Sequence, residues 1–214
     1  GQRCSALRLI CVQEDVADKM VEMIAGAAAE LKIGDPRQIS THVGPVIDAE
    51  AKDKLDAHVA AMKQVATTRY AGAVPPGLRG TFVAPHIFEL RSAAELKQEV
   101  FGPVLHVVRW KARDLPRLLD DIEATGFGLT LGVHSRIDET IETITDRLPV
   151  GNCYVNRNMI GAVVGTQPFG GCGLSGTGPK AGGPNYVKRF SLEQVVSINT
   201  AAAGGNATLI AMGE

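Results

Sequence analysis

No run of apolar residues in this chain of 214 approaches the roughly 20 needed to cross a bilayer as a helix. Its first residues do not combine a basic start, an apolar stretch and a small-residue cleavage site. A membrane span and an export signal are therefore not expected, and the cytoplasm is the expected compartment. Excess charge of either sign is missing too: 22 Lys and Arg face 23 Asp and Glu, for a net charge of −1. No broad field draws such a chain onto nucleic acid or an anionic surface, so neither partner is expected. Cysteine is sparse, and Cys4, Cys11, Cys153 and Cys172 form neither a CxxC pair nor a dense even framework. That argues against a disulfide scaffold and a zinc site. His42, His58, His86, His106 and His134 are scattered without ligand spacing and read as structural; no metal is expected.

Hydrophobic residues make up 45% of the chain, enough for a sizeable core in one large domain or one domain with an appendage. The run Ala6 to Val12, with Leu7, Leu9, Ile10 and Cys11, reads as a buried strand. Asp15 is placed to cap a helix carrying Val16, Met20, Val21, Met23 and Ile24 on to the Leu31–Ile33 region, where Gly34-Asp35-Pro36 stops it. Thr41 to Ile47 is turn-like, and a second helix is predicted from Asp48 to about Val65 with Leu55, Val59 and Met62 inside. A loop from Gly72 to Gly80 leads to a short extended run, Thr81 to Ala84, which Pro85 ends or marks as an edge. Val104 to Val108 is a continuous apolar strand. Asp114 to Ala124 reads as a helix, Leu129 to His134 as another buried strand, Asp138 to Arg147 as a helix capped by Asp138, and Val150 to Asn156 as a strand.

Strands alternating with helices of about 10–15 residues predict an α/β fold, a mostly parallel sheet flanked by helices. Sites on such sheets lie at the carboxyl ends of the strands, here leading into Asn156 to Phe169 and the loops near Cys4. Asn156 to Pro184 is dense in glycine, and a loop so long in a compact domain is usually functional. Within it, Gly171-Cys172-Gly173-Leu174-Ser175-Gly176 matches G-x-G-x-x-G but has no strand before it and no helix after it, so it is rejected as a dinucleotide turn. Ser191 to Asn199 alternates Leu192, Val195 and Ile198 with polar residues, as a half-exposed strand whose partner is another subunit's edge. The small-residue tail from Ala201 to Glu214 reads as weakly structured. The expected division is therefore a domain over 1–190 and an oligomerisation strand with a linker tail over 191–214.

Chemistry is expected at Gly1-Gln2-Arg3-Cys4-Ser5, where small and cationic residues surround a thiol. A nearby cation such as Arg3, or free backbone N–H groups, favours the nucleophilic thiolate. Taken alone, Cys4 reads more readily as a small apolar residue near a chain start. Glu99 and Phe101, at the mouth of the Val104 strand, form either a ledge for a ligand or a surface charge beside a core ring. The chain opens on this motif with no initiator Met, which points to a piece of a longer protein lacking its N-terminal side.

Several separated motifs agree with one another. Gly1-Gln2-Arg3-Cys4, Glu99-Val100-Phe101-Gly102-Pro103, Gly151-Asn152-Cys153-Tyr154-Val155-Asn156 and Pro168-Phe169-Gly170-Gly171 occur in an order and spacing that resemble the catalytic domain of the aldehyde dehydrogenase superfamily. Cys4-Ser5-Ala6, Asn156 to Gly165 and Ser175 to Pro184 are most similar to its glutamate-semialdehyde (1-pyrroline-5-carboxylate) dehydrogenases, in particular those within bifunctional proline-utilisation proteins.

The resemblance implies that Cys4 is the nucleophile, attacking the aldehyde to give a thiohemiacetal, and that its backbone N–H helps hold the oxyanion. It implies NAD as cofactor, with Glu99 bonding the nicotinamide ribose and Phe101 packing beside the nicotinamide end. Ser5, with the backbone N–H groups of Gly161 and Ala162, is implied as the anchor for the substrate carboxylate, and Phe169 as an aromatic wall. FAD is expected only in a separate proline dehydrogenase domain of such proteins, not in this chain. The general-base glutamate, the oxyanion asparagine and the NAD-binding domain of the family lie upstream of the cysteine, so this chain alone is expected to be inactive. Cys172 stands where glutamate or another polar residue is expected, and reads as a tolerated loop substitution. Two other readings stay open: an aldehyde dehydrogenase for a different substrate, against which the Gly161-Ala162 anchor argues, and a non-catalytic assembly module.

Overall fold

The apolar run at Val104 becomes the spine of the molecule. In the computed structural model, which describes residues 1–199 together with Ala202, Thr208, Ala211 and Met212, β1 (Leu9–Gln13) leads into α1 (Glu14–Ala29) and α2 (Ala49–Val65), followed by β2 (Thr67–Ala71), β3 (His86–Leu90) and β4 (Val104–Trp110). These strands form a four-stranded sheet in the order β1-β4-β3-β2. β4 runs parallel to both β1 and β3, while β2 lies antiparallel at the far edge. Next come α3 (Leu115–Glu123), β5 (Phe127–Gly128), β6 (Thr130–Val133), α4 (Asp138–Arg147), β7 (Asn152–Val155) and β8 (Cys172–Gly173). β6 and β7 pair in parallel, β5 and β8 antiparallel. The α/β class holds, with parallel pairing at the centre and antiparallel pairing at the margins.

Alternation along the strands divides the core between two faces. Val12, Ile87 and Val107 pack against Ala17, Val21 and Ala28 of α1. On the opposite face Phe88 and Val104 meet Leu55 and Val59 of α2, and Leu90 and Val108 meet Leu118 of α3. Asp48 caps α2 as its position predicts, its side chain accepting from the Ala51 N–H at 2.8 Å.

Several expectations are corrected. β1 is an edge strand, half-covered rather than buried, because it pairs only with β4 among the described strands. β6 is also mostly half-covered. Gln13, not Asp15, is the N-cap of α1, and the helix ends at Ala29, before Gly34. Asp138 likewise lies inside α4, in whose first turn its charge favours the helix dipole, and Ile137 is the cap. Strand β3 went unpredicted because Pro85 reads as a stop. Pro85 precedes the strand, where only its carbonyl is needed, and that carbonyl accepts from the Gly72 N–H at 2.9 Å. Among the described residues of the single chain, Ser191 to Asn199 pairs with no other strand, Leu192 being 98% exposed and Val195 85%; its expected partner is another subunit's edge. The expected tail over 201–214 lies largely outside the described residues. Among the described residues, no helix is long and apolar enough to cross a membrane.

A candidate active site at the amino ends of β1 and β4

The Arg3–Ala6 segment is a tight turn closed by the Ala6 N–H donating to the Arg3 carbonyl at 3.0 Å. Cys4 and Ser5 occupy its two central positions, and their own N–H groups have no intramolecular acceptor among the described residues. Cys4 is exposed, whereas Ser5 is 7% exposed. The Ser5 Oγ lies 3.5 Å from the Gly161 nitrogen, which points its N–H toward it. Residues 156 positions apart are thus brought together. Gly161 holds φ at 76°, a conformation that side-chain-bearing residues rarely adopt, and so turns its N–H toward the cysteine loop. Ala162 follows it, half-buried.

One cation organises the rest, and it is Arg8, not Arg3. A single Arg8 Nη donates to the carbonyls of Arg3 at 3.0 Å and Cys4 at 3.2 Å. The other donates to the Glu99 carboxylate at 2.6 Å, and the guanidinium carbon sits 3.9 Å from the centre of the Phe101 ring. Cys4, Glu99 and Phe101 therefore share one neighbour. Arg3 is exposed and gives the cluster its backbone carbonyl. Sequence reading missed Arg8, although a charged residue inside the apolar run Ala6 to Val12 was a usable signal.

Phe169 is held by contacts of its own. The Asn152 side chain donates to the Pro168 carbonyl at 2.9 Å and accepts from the Gly170 N–H at 3.2 Å, bracketing the ring-bearing residue. Phe169 also exchanges both backbone hydrogen bonds with Ala181, at 3.0 and 2.9 Å. Gly151 allows this close approach, because a Cβ there would fall onto the Gly170 carbonyl. No hydrogen bond among the described residues joins Phe169 to Ser5 or Gly161.

The location differs from the expectation. Cys4 precedes β1 and Glu99 precedes β4, so the cluster sits at the amino ends of these parallel strands; only Gly161 arrives from a carboxyl end, that of β7. The carboxyl-end rule describes sheets that carry their whole site on one edge. Here two separate sheets meet, the amino edge of one facing the loop that leaves the other.

Behind the turn, the Arg8 carbonyl accepts from His106 Nδ1 at 3.0 Å, and His106 Nε2 lies 2.9 Å from His58 Nε2 on α2. His106 is 0% exposed, and burial, followed by the charge of His58, pulls its value down from 6.5 to about 4, even though the Arg8 carbonyl favours its charged form. The pair is neutral, with His58 donating and His106 accepting between the rings. The reading of these two histidines as structural fits this arrangement. Burial pushes the Cys11 thiol up to about 12 and raises that of Cys153 as well.

The Glu99 carboxylate, its side chain 35% exposed, offers acceptors for ribose hydroxyls, and the 38% exposed Phe101 ring offers a flat apolar surface. Both fit the nicotinamide-ribose end of NAD. The G-x-G-x-x-G segment instead pairs Cys172 and Gly173 with Gly128 and Phe127 and starts no helix, so it is not a phosphate cradle.

The chain is similar to several known proteins over most of its length. The sequence model of the aldehyde dehydrogenase family matches residues 1–196. The chain is 56% identical over 196 residues to the bifunctional protein PutA of Klebsiella aerogenes, and 38% identical over 189 residues to a 1-pyrroline-5-carboxylate dehydrogenase of a Geobacillus species. These alignments cover 89% and 87% of the chain but only 15% and 36% of the two proteins. Among solved structures, a mutant of proline utilization A from Bradyrhizobium japonicum superposes with a TM-score of 0.88 at 69% identity, over 95% of this chain and 21% of that one. A 1-pyrroline-5-carboxylate dehydrogenase from Thermus with bound NAD superposes with a TM-score of 0.80 at 35% identity, over 89% of this chain and 36% of that one. With the match running over residues 1–196, and with Cys4, Glu99 and Phe101 gathered on Arg8 and Ser5 meeting Gly161, the chain belongs to the aldehyde dehydrogenase family.

Proposed function

We propose that this chain supplies the nucleophile and the substrate anchor of an NAD-dependent dehydrogenase that oxidises glutamate γ-semialdehyde to glutamate in proline catabolism. The observation that carries the reading is the convergence of the Ser5 hydroxyl and the Gly161 N–H beside the exposed Cys4. A hydroxyl and a backbone N–H within hydrogen-bond distance of each other, beside a glycine with open space where a side chain would stand, suit a carboxylate that takes both as donors. An aldehyde carrying a carboxylate at its far end is thereby distinguished from a neutral one.

In this mechanism the Cys4 thiolate adds to the aldehyde carbon, and the free N–H groups of the turn lie where oxygen gains negative charge. Glu99 and Phe101 hold the nicotinamide-ribose end of NAD, which when bound accepts the hydride. Ser5, Gly161 and Ala162 fix the carboxylate, Phe169 shields the aliphatic portion, and water then releases the acid from Cys4. The cluster's own carboxylate, Glu99, is paired with Arg8, so the base that activates this water belongs to residues outside the cluster. A cytoplasmic location and a homo-oligomer through 191–199 belong to the same proposal, the latter supported by the exposed Leu192, Val195 and Ile198. FAD has no role in this chain.

The test is NAD reduction by the full-length protein. Cys4→Ala should lower kcat by at least about a thousandfold. Ser5→Ala should raise KM for glutamate semialdehyde while leaving KM for a neutral aldehyde of similar length within about twofold. Equal use of both aldehydes by the unmodified protein would overturn the substrate assignment.

A further inference from the structure

The strongest unassigned feature is the Arg8 guanidinium, which touches every part of the cluster except the carboxylate anchor. Building on the dehydrogenase reading above, we propose that Arg8 is a positioning residue that couples the nucleophile turn to the cofactor ledge, so that the state of Glu99 is felt at Cys4. The division of its contacts supports this. One nitrogen is spent on the carbonyls at positions 3 and 4, the other on Glu99, and the planar face on Phe101. Its Nε is buried with no hydrogen-bond partner among the described residues. An arginine that only packed or only paired would not leave a buried donor idle while spreading its two terminal nitrogens over three acceptors on two chain segments.

Geometry also makes Arg8 a poor candidate for replacement by lysine. A planar fork can serve separate acceptors while lying on a ring, whereas an ammonium is a single point with no face to stack. The base of the strut is fixed as well: the Arg8 carbonyl is bound by His106 and its residue adjoins β1, so a change at the guanidinium is transmitted to Glu99 and the turn rather than absorbed by the backbone. Glu99 has no other ion-pair partner among the described residues. When ribose hydroxyls engage Glu99, the carboxylate's hold on Arg8 changes, and with it the grip of Arg8 on the Cys4 carbonyl.

The experiment uses the full-length protein and two readouts: steady-state kinetics, and the rate at which iodoacetamide alkylates Cys4 without NAD. Arg8→Met keeps the apolar stem. It is expected to raise KM for NAD about tenfold and to change the alkylation rate about fivefold, while Arg8→Lys recovers neither fully. Simple loss of folded enzyme would lower kcat and leave KM for NAD unchanged. Glu99→Gln alters the far end of the strut and should change Cys4 alkylation about threefold or more; in the Arg8→Met background it should have no further effect. Folded Arg8→Met protein with both KM for NAD and alkylation unchanged would overturn the proposal. If Arg8→Met fails to fold, an unchanged alkylation rate in Glu99→Gln would overturn it equally. Unmodified protein that reduces no NAD, yet shows these alkylation effects, would sink the dehydrogenase reading and leave the coupling in place.

Discussion

At the level of single residues, the four cysteines divide by environment. Cys11 is half-buried, packed against the cluster that holds Leu118 of α3, and burial pushes its thiol up to about 12, while Cys4 stands exposed at the centre of a turn. Alkylation at pH 8, followed by peptide mass spectrometry, should therefore modify Cys4 well ahead of Cys11 and Cys153, with Cys11 reacting only after unfolding. Gly151 presents a different constraint, since the Gly170 carbonyl occupies the space of its missing side chain. Gly151→Ala must push apart the β7 entrance and the Phe169 loop, and should cost about 3 kcal/mol in urea denaturation. A loss below about 0.5 kcal/mol would show that the two segments move apart freely.

At the level of elements, local chemistry and distant contacts contribute separately. The Asp48 cap is local: Asp48→Ala removes the acceptor for the Ala51 N–H and should lower stability by about 1 kcal/mol, seen as a lower Tm. The His58–His106 pair is not local, because it bolts α2 to β4 through a half-buried ring and a buried one far apart in sequence. Its pH dependence follows from the direction of the shift. With the folded value of His106 lowered from 6.5 to about 4, the unfolded chain binds the proton first, so stability is complete above about 6.5 and falls as the pH drops toward about 4. The loss over that window is on the order of 3 kcal/mol, and His106→Gln should flatten it in denaturation curves collected across that range, though at lower stability throughout. Sequence periodicity foresaw α2, α3, α4 and β4, whose apolar spacing agrees with what they bury. It missed β3 because Pro85 signals a stop, and it overextended α1 because the helix ends in residues of ordinary helical character, ahead of the glycine that seemed to end it.

At the level of the whole molecule, the exposed segment 191–199 bears on assembly. Leu192, Val195 and Ile198 lie open to solvent in the single chain, a larger apolar display than a finished surface usually keeps. Replacing Leu192 and Val195 together by lysine in the full-length protein should lower the oligomer mass measured by light scattering while leaving the Cys4 alkylation rate unchanged. An unaltered mass would remove this segment from the assembly interface.

Residue identity, read with the family resemblance, nominated the groups proposed to carry the chemistry: a thiol beside a serine, glycines that let backbone approach an anion, and a carboxylate next to a ring. These are legible because reactivity and backbone freedom are properties of the residue and its nearest neighbours. Only the tertiary structure decided that the candidate site gathers at the amino ends of β1 and β4, that Gly161 crosses from a second sheet to meet Ser5, and that Arg8, rather than Arg3, binds the Cys4 turn to Glu99 and Phe101. Those facts depend on which strand edges face one another across long stretches of chain, and the pairing of edges is fixed by the packed core rather than by any local pattern.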